Sequence, residues 1–159
     1  MNSEFKEEQR FTQWWLWTIL IVIALIPVYG IYKQIIRGEQ FGTKPMSDTS
    51  LIVAAIITFT ILFLFRITQL KTQIDQNKIS INFFPLMNKV VNWDEVKSAQ
   101  VLKYGFVGYG IRFFTPYGIV YNIAGSIGLA LELKNGKKLL IGTQKGEELT
   151  KFLETYFVS

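Results

Sequence analysis

Two long stretches of this chain carry no charge. The first runs from Phe11 to Tyr32, 22 residues, and the second from Thr49 to Phe65, 17 residues. A helix that packs on a globular core keeps a polar face, and neither stretch has one. At 1.5 Å of rise per residue they reach about 33 Å and about 25 Å as helices. A hydrocarbon layer about 30 Å thick is crossed by about 17 to 25 residues. The pattern predicts a transmembrane helical hairpin over 11–66, with helices at about 13–36 and 48–66 and a loop at 37–47. The second helix is the short one, so its flanks must snorkel or the bilayer must thin slightly.

Residues at the ends of both stretches agree with this. Trp14, Trp15 and Trp17 stand at the start of the first, and Tyr29 and Tyr32 near its end, where amphipathic rings meet a membrane interface. Pro27 predicts a kink. Gly38, Gly42 and Pro45 suit an exposed loop, and Ser47, Asp48, Thr49 and Ser50 offer N-caps for the second helix. A cleaved leader would be basic, yet residues 1–10 hold Glu4, Glu7 and Glu8 against Lys6 and Arg10. Those ten residues read as an N-terminal tail.

Beyond Arg66 the period shortens to two. Strands are predicted at Ile67–Ile74 and Lys78–Phe84, split by Asp75-Gln76-Asn77. Val90-Val91 and Val96–Lys103 flank a turn at Asn92-Trp93-Asp94-Glu95. Gly110–Phe114 and Gly118–Tyr121 are split by Thr115-Pro116-Tyr117. Gly128–Leu133 and Lys137–Ile141 are joined by Asn135-Gly136, a strong hairpin signal. A helix closes the chain at about 145–157. Its Leu149, Phe152, Leu153, Tyr156 and Phe157 share one face, and Glu147 and Glu148 suit the dipole of its first turn. The expected fold class is membrane-anchored α+β: the hairpin, then a curled antiparallel barrel or sandwich of about seven strands over 67–159, capped by the helix.

The order resembles the pleckstrin-homology-like (PH-like) domains of bacterial membrane proteins, which often follow one or two membrane helices. The residues that carry the resemblance are Val91–Val96 with its Trp-carboxylate turn, Tyr121–Gly125, Leu131–Gln144 and the final helix. It covers roughly Arg66 to Ser159. It implies a membrane-tethered binding or scaffolding module and names no ligand.

Composition narrows the chemistry. The chain has no His and no Cys, which excludes Ser-His-Asp and Cys-His catalysis, His-ligated metals, thiolate zinc sites and disulfides. Asp94-Glu95 and Glu147-Glu148 are adjacent pairs whose members point apart, so neither forms an acid–base couple. Gly105-Phe106-Val107-Gly108-Tyr109-Gly110 has the spacing G-x-x-G-x-G and leads into a strand, whereas a phosphate cradle needs a helix N-terminus. No catalytic, metal or cofactor site is expected. Aromatic residues crowd 104–121, which suits either core and strand packing or a rim that faces a partner; on the second reading Tyr104, Phe106, Tyr109, Arg112 and Tyr117 are the candidate interaction surface.

Charge sets the expected orientation. Lys33, Arg37 and Lys44 lie in the loop; Lys6, Arg10, Arg66, Lys71 and Lys78 flank the hairpin on its other side. This bias places both termini in the cytoplasm, and the resemblance implies that the membrane is a bacterial inner membrane. From Arg66 to Ser159 there are 12 Lys and Arg against 7 Asp and Glu, and the rest of the chain balances. That surplus suits anionic lipid headgroups or ordinary surface charge. The lysines are scattered and no nucleic-acid reader motif occurs. The expected function is a non-enzymatic, membrane-tethered module whose partners are the lipid bilayer and a protein, peptide or lipid headgroup. The alternative is a structural subunit of a larger membrane complex, acting through its hairpin.

Overall fold

The computed structural model describes residues 4–105 and 108–157, with no account of the side chains of 156 and 157. The chain forms two compact units, one of Thr12–Ile67 and the other of Met1–Phe11 together with Thr68–Ser159.

In the first unit, α1 spans Trp14–Ile31 and runs on as a π-helical turn, Tyr32–Ile36, while α2 spans Asp48–Ile67. Both helices are long and apolar enough to cross a membrane. Only 17% and 11% of their most apolar windows are buried within the protein, so neither is a covered core helix. Small side chains set their contact. Ala24, Gly30 and Ala55 are buried with Leu51, and a Cβ on Gly30 would lie 2.9 Å from the Phe41 ring and 3.1 Å from Leu51. Such residues let membrane helices approach closely. Of the candidate caps, Ser47 serves: its Oγ accepts from the Ser50 N–H at 3.2 Å.

The second unit holds nine strands and one helix among the described residues. Sheet A has the order β1-β2-β3-β4, formed by Phe5–Arg10, Gln69–Ile74, Lys78–Phe84 and Met87–Asn92. Sheet B has the order β5-β8-β9-β7-β6, where β5 is Val96–Lys103, β6 Gly110–Thr115, β7 Gly118–Asn122, β8 Ile127–Leu133 and β9 Lys138–Thr143. The helix α3 is Gly146–Phe157.

Two expectations are corrected. The expected antiparallel barrel or sandwich of about seven strands is no closed barrel: among the described residues nine strands lie in two separate sheets of four and five, and β7 pairs parallel with β9. The chain changes sheet at a 3-10 turn, Trp93–Glu95, where the Trp93 indole N–H donates to the Asp75 carbonyl at 2.8 Å and its backbone N–H to that of Asn77 at 3.1 Å. Nor are residues 5–10 a tail. They form β1, which pairs antiparallel with β2 from Phe5↔Ile74 to Arg10↔Gln69. The helical hairpin is thus inserted between two neighbouring strands of one sheet. With β1 counted, this unit carries 13 Lys and Arg against 10 Asp and Glu, so the basic surplus is shared with the hairpin.

The core forms where register aligns apolar residues on one face of each sheet. In sheet A, Phe5, Leu70, Ile74, Ile79, Ile81, Phe83 and Val91 are buried. In sheet B, Leu129, Leu131, Leu133, Leu139 and Ile141 are buried and paired with one another across β8 and β9 where register sets them opposite. Each such side chain contributes about 1.5–3 kcal/mol by leaving water. Two polar residues on the inner face of β1 bond to β9 and its exit, though the Gln9 Oε1 stays without a partner. The Glu7 carboxylate accepts from the Thr143 hydroxyl and the Gln144 N–H, and Gln9 Nε2 donates to the Gly142 carbonyl at 2.7 Å. The Asn135-Gly136 hairpin is a three-residue loop. Leu133 N–H donates to the Lys137 carbonyl, Gly136 N–H to that of Leu133, and Gly136 takes φ +79°.

Candidate functional site

Two surfaces of the β domain combine room, apolar lining and polar rims. The first is the outer face of sheet B, where register sets Ala130, Leu140 and Val120 side by side, with Leu102 one pair along, opposite Gly128. Tyr104 follows β5 and lies back across this face. The space it fills is left by two glycines: a Cβ on Gly128 would sit 3.0 Å from Tyr104 Cε1, and one on Gly142 3.1 Å from its hydroxyl. Tyr104, Val120 and Leu140 form a buried cluster, with Leu102, Tyr117 and Ala130 packed against it. The Tyr104 and Tyr117 rings meet edge to face with centroids 6.2 Å apart. Beside Tyr117 is a cleft of about 290 Å³, rimmed by Ser98, Gln100, Glu132 and Lys138. Glu132 bonds Lys97 at 2.6 Å, and that ion pair holds its carboxyl below the usual range.

The expected surface residues are therefore divided. Tyr104 and Tyr117 come together, but Tyr104 is a buried floor and Tyr117 is half-buried above it. Arg112 is exposed, opposite Val120 in register, and its guanidinium covers Gly108, with Nε 2.8 Å from where a Cβ would stand. Tyr109 packs edge-on against Phe11, with centroids 6.5 Å apart. Phe106 lies outside the described residues. Phe113 and Phe114 are fully or largely exposed where the β6–β7 register slips, and Phe114 takes φ +59°.

Burial makes Tyr104 a reporter of this face. Loss of water around the ring pushes its hydroxyl from the ordinary value of 10.0 up to about 12, and burial raises Tyr121 as well. With the folded value raised, the unfolded chain loses its phenolic proton first. The stabilising contribution is complete below about pH 10 and is lost as pH climbs to about 12. The urea midpoint should fall over that window, and Tyr104→Phe should flatten the fall. Equal slopes in the two proteins would show that another group titrates.

The second surface is a groove of about 420 Å³ between β5 and α3, lined by Val101, Lys103, Ile127, Gly146, Thr150 and Glu154 among others. The helix is held by its inward face: Leu149 and Phe152 are buried, and the Phe152 and Phe5 rings lie 6.4 Å apart. Strand β5 is an edge. It pairs with β8, and among the described residues no strand takes its other side. Edge position depends on the order of strands in space, so the groove had no local signal in the sequence. No group of three acidic side chains that could hold a metal occurs among the described residues. Comparison with protein-family models and with curated proteins finds no match to this chain.

Proposed function

We propose that this chain is a non-enzymatic binding module, tethered by a two-span anchor at the cytoplasmic face of a bacterial inner membrane, whose PH-like β domain takes an extended segment of a protein partner. The observation that carries the reading is the open edge of β5 beside the groove against α3. An unpaired edge offers a row of backbone donors and acceptors, and the groove offers room for alternate side chains. The pairing of Arg10 with Gln69 supports the anchor's topology. Strands that hydrogen-bond to each other lie on one side of a membrane, which favours a hairpin that crosses an even number of times. The Lys and Arg bias then puts that side in the cytoplasm.

Peptides selected from a random library against the full chain in lipid nanodiscs test this. Thr150→Arg projects a long cation into the groove from a half-buried position on α3. It should weaken selected peptides by about tenfold or more, equivalent to about 1.4 kcal/mol, without lowering the melting temperature. A library that yields no binder, or binders indifferent to Thr150→Arg, would overturn the reading.

A further inference from the structure

The turn between β3 and β4 leaves two large apolar side chains in the open, Phe84 at 47% and Leu86 at 65% exposure. Isolated exposed apolar residues are ordinary. The position of these two is not. Strand β3 runs antiparallel to β2, so its last residue, Phe84, lies opposite Gln69, the first residue of β2. Only Thr68 separates Gln69 from Ile67, the last residue of α2. Two residues of extended chain span at most about 7 Å, and paired strands lie about 5 Å apart. Covalent geometry and one strand pairing thus hold Phe84 within about 12 Å of the end of the second span. The headgroup layer itself is about 5–8 Å deep on each side of the hydrocarbon, and the turn projects past the strand ends. Lys71, ion-paired with Glu8 at 3.4 Å, lies opposite Asn82, two register steps from Phe84, and Lys89 lies opposite Ile81, three steps away, about 7 and about 10 Å along the strands. Apolar tip first and cations behind it is the order of layers that a lipid surface presents.

We propose that the Phe84–Leu86 turn is a third membrane contact, inserted into the lipid interface beside the hairpin, with Lys71 and Lys89 facing the phosphates. The inference rests on α1 and α2 being membrane spans. The partner is the bilayer, and the turn seats the β domain on it.

The chain has no cysteine, so a single introduced one carries a unique label. The full chain is labelled with an environment-sensitive fluorophore at Leu86→Cys, at Gln76→Cys in the turn at the opposite end of the same sheet, or at Ile57→Cys in α2. Each protein is placed in nanodiscs of mixed zwitterionic and anionic lipid, with or without lipid spin-labelled near the top of its acyl chains. Leu86 should be quenched at least about threefold more than Gln76, as expected for an interfacial site against one in water. Ile57 should be quenched best by lipid labelled deep in the chain. A Leu86 label quenched no more than Gln76, with Ile57 quenched deep, would overturn the inference and leave the spans standing. An unquenched Ile57 would overturn the span reading and this inference with it. Leu86 is exposed, so its replacement leaves the core intact.

Discussion

Gly118→Ala is expected to cost the β domain about 2–5 kcal/mol and to loosen β6 and β7 from the rest of sheet B. Two independent penalties meet at this residue. Its φ is +75°, a left-handed conformation that alanine adopts at a cost of about 1–2 kcal/mol. A Cβ there would also stand 2.0 Å from the Lys138 carbonyl oxygen and 2.6 Å from its carbon. Those are backbone atoms of the residue that opens β9, and no rotamer change can move them aside. Relief would require β7 to withdraw from β9, yet the parallel pairing Ile119↔Leu139 to Tyr121↔Ile141 joins the β6–β7 hairpin to the sheet. Gly136→Ala isolates one penalty from the other, because Gly136 has φ +79° with nothing within 4 Å of its added carbon. It should cost about 1–2 kcal/mol, the conformational part alone. Thermal unfolding of the full chain reads the difference, at about 4–8 °C per kcal/mol for a domain near this size. Equal shifts for the two variants would refute the role given to the close approach.

The second large effect concerns β1. Phe5→Ala should lose about 3–5 kcal/mol, the range for a buried ring that leaves a cavity. Phe5 is 2% exposed, packs on Phe152 of α3 and lies under the Lys145 ammonium, 5.9 Å from its centroid. A solvated tail would lose almost nothing on the same change. The argument extends to fragments. One that begins at Thr68 lacks β1 and uncovers the edge of β2, removing the Glu7 and Gln9 bonds to β9 and its exit. It should aggregate, as unprotected strand edges do. A chain in which Phe11 is joined to Thr68 through a short Asn-Gly turn should instead be soluble and unfold cooperatively, because Arg10 and Gln69 are already paired. A Thr68–Ser159 fragment as stable and monomeric as the joined chain would refute this account of β1.

Much of the molecule was legible along the chain because its signals are local. A helix in lipid must be apolar all round and long enough to cross, and both conditions can be counted between Phe11 and Phe65. The hairpins were marked by their turn residues. The Asp75 carboxylate accepts from the Asn77 and Lys78 N–H groups, and Gly136 supplies the positive φ of its loop. The helix α3 followed from the spacing of Leu149 and Phe152, both buried. The candidate surface was legible only as a crowd of aromatic residues. Which of them would be floor, rim or contact with Phe11 depended on Gly128, Gly142 and β1, all supplied from other strands.

What the sequence determined by itself was the pair of helices long and apolar enough to cross a membrane, most strands and the closing helix, since each is dictated by apolar length or turn chemistry among near neighbours. Only the tertiary structure decided that β1 exists, that β7 and β9 run parallel, that β5 is an edge and that the Phe84–Leu86 turn stands beside the start of β2. The physical reason is plainest in β1. Two of its three inward residues, Glu7 and Gln9, are polar, so it lacks the alternation that announces a strand. Those residues are stable inside only because partners 133 to 137 positions away arrive to bond them, and no local pattern encodes that meeting.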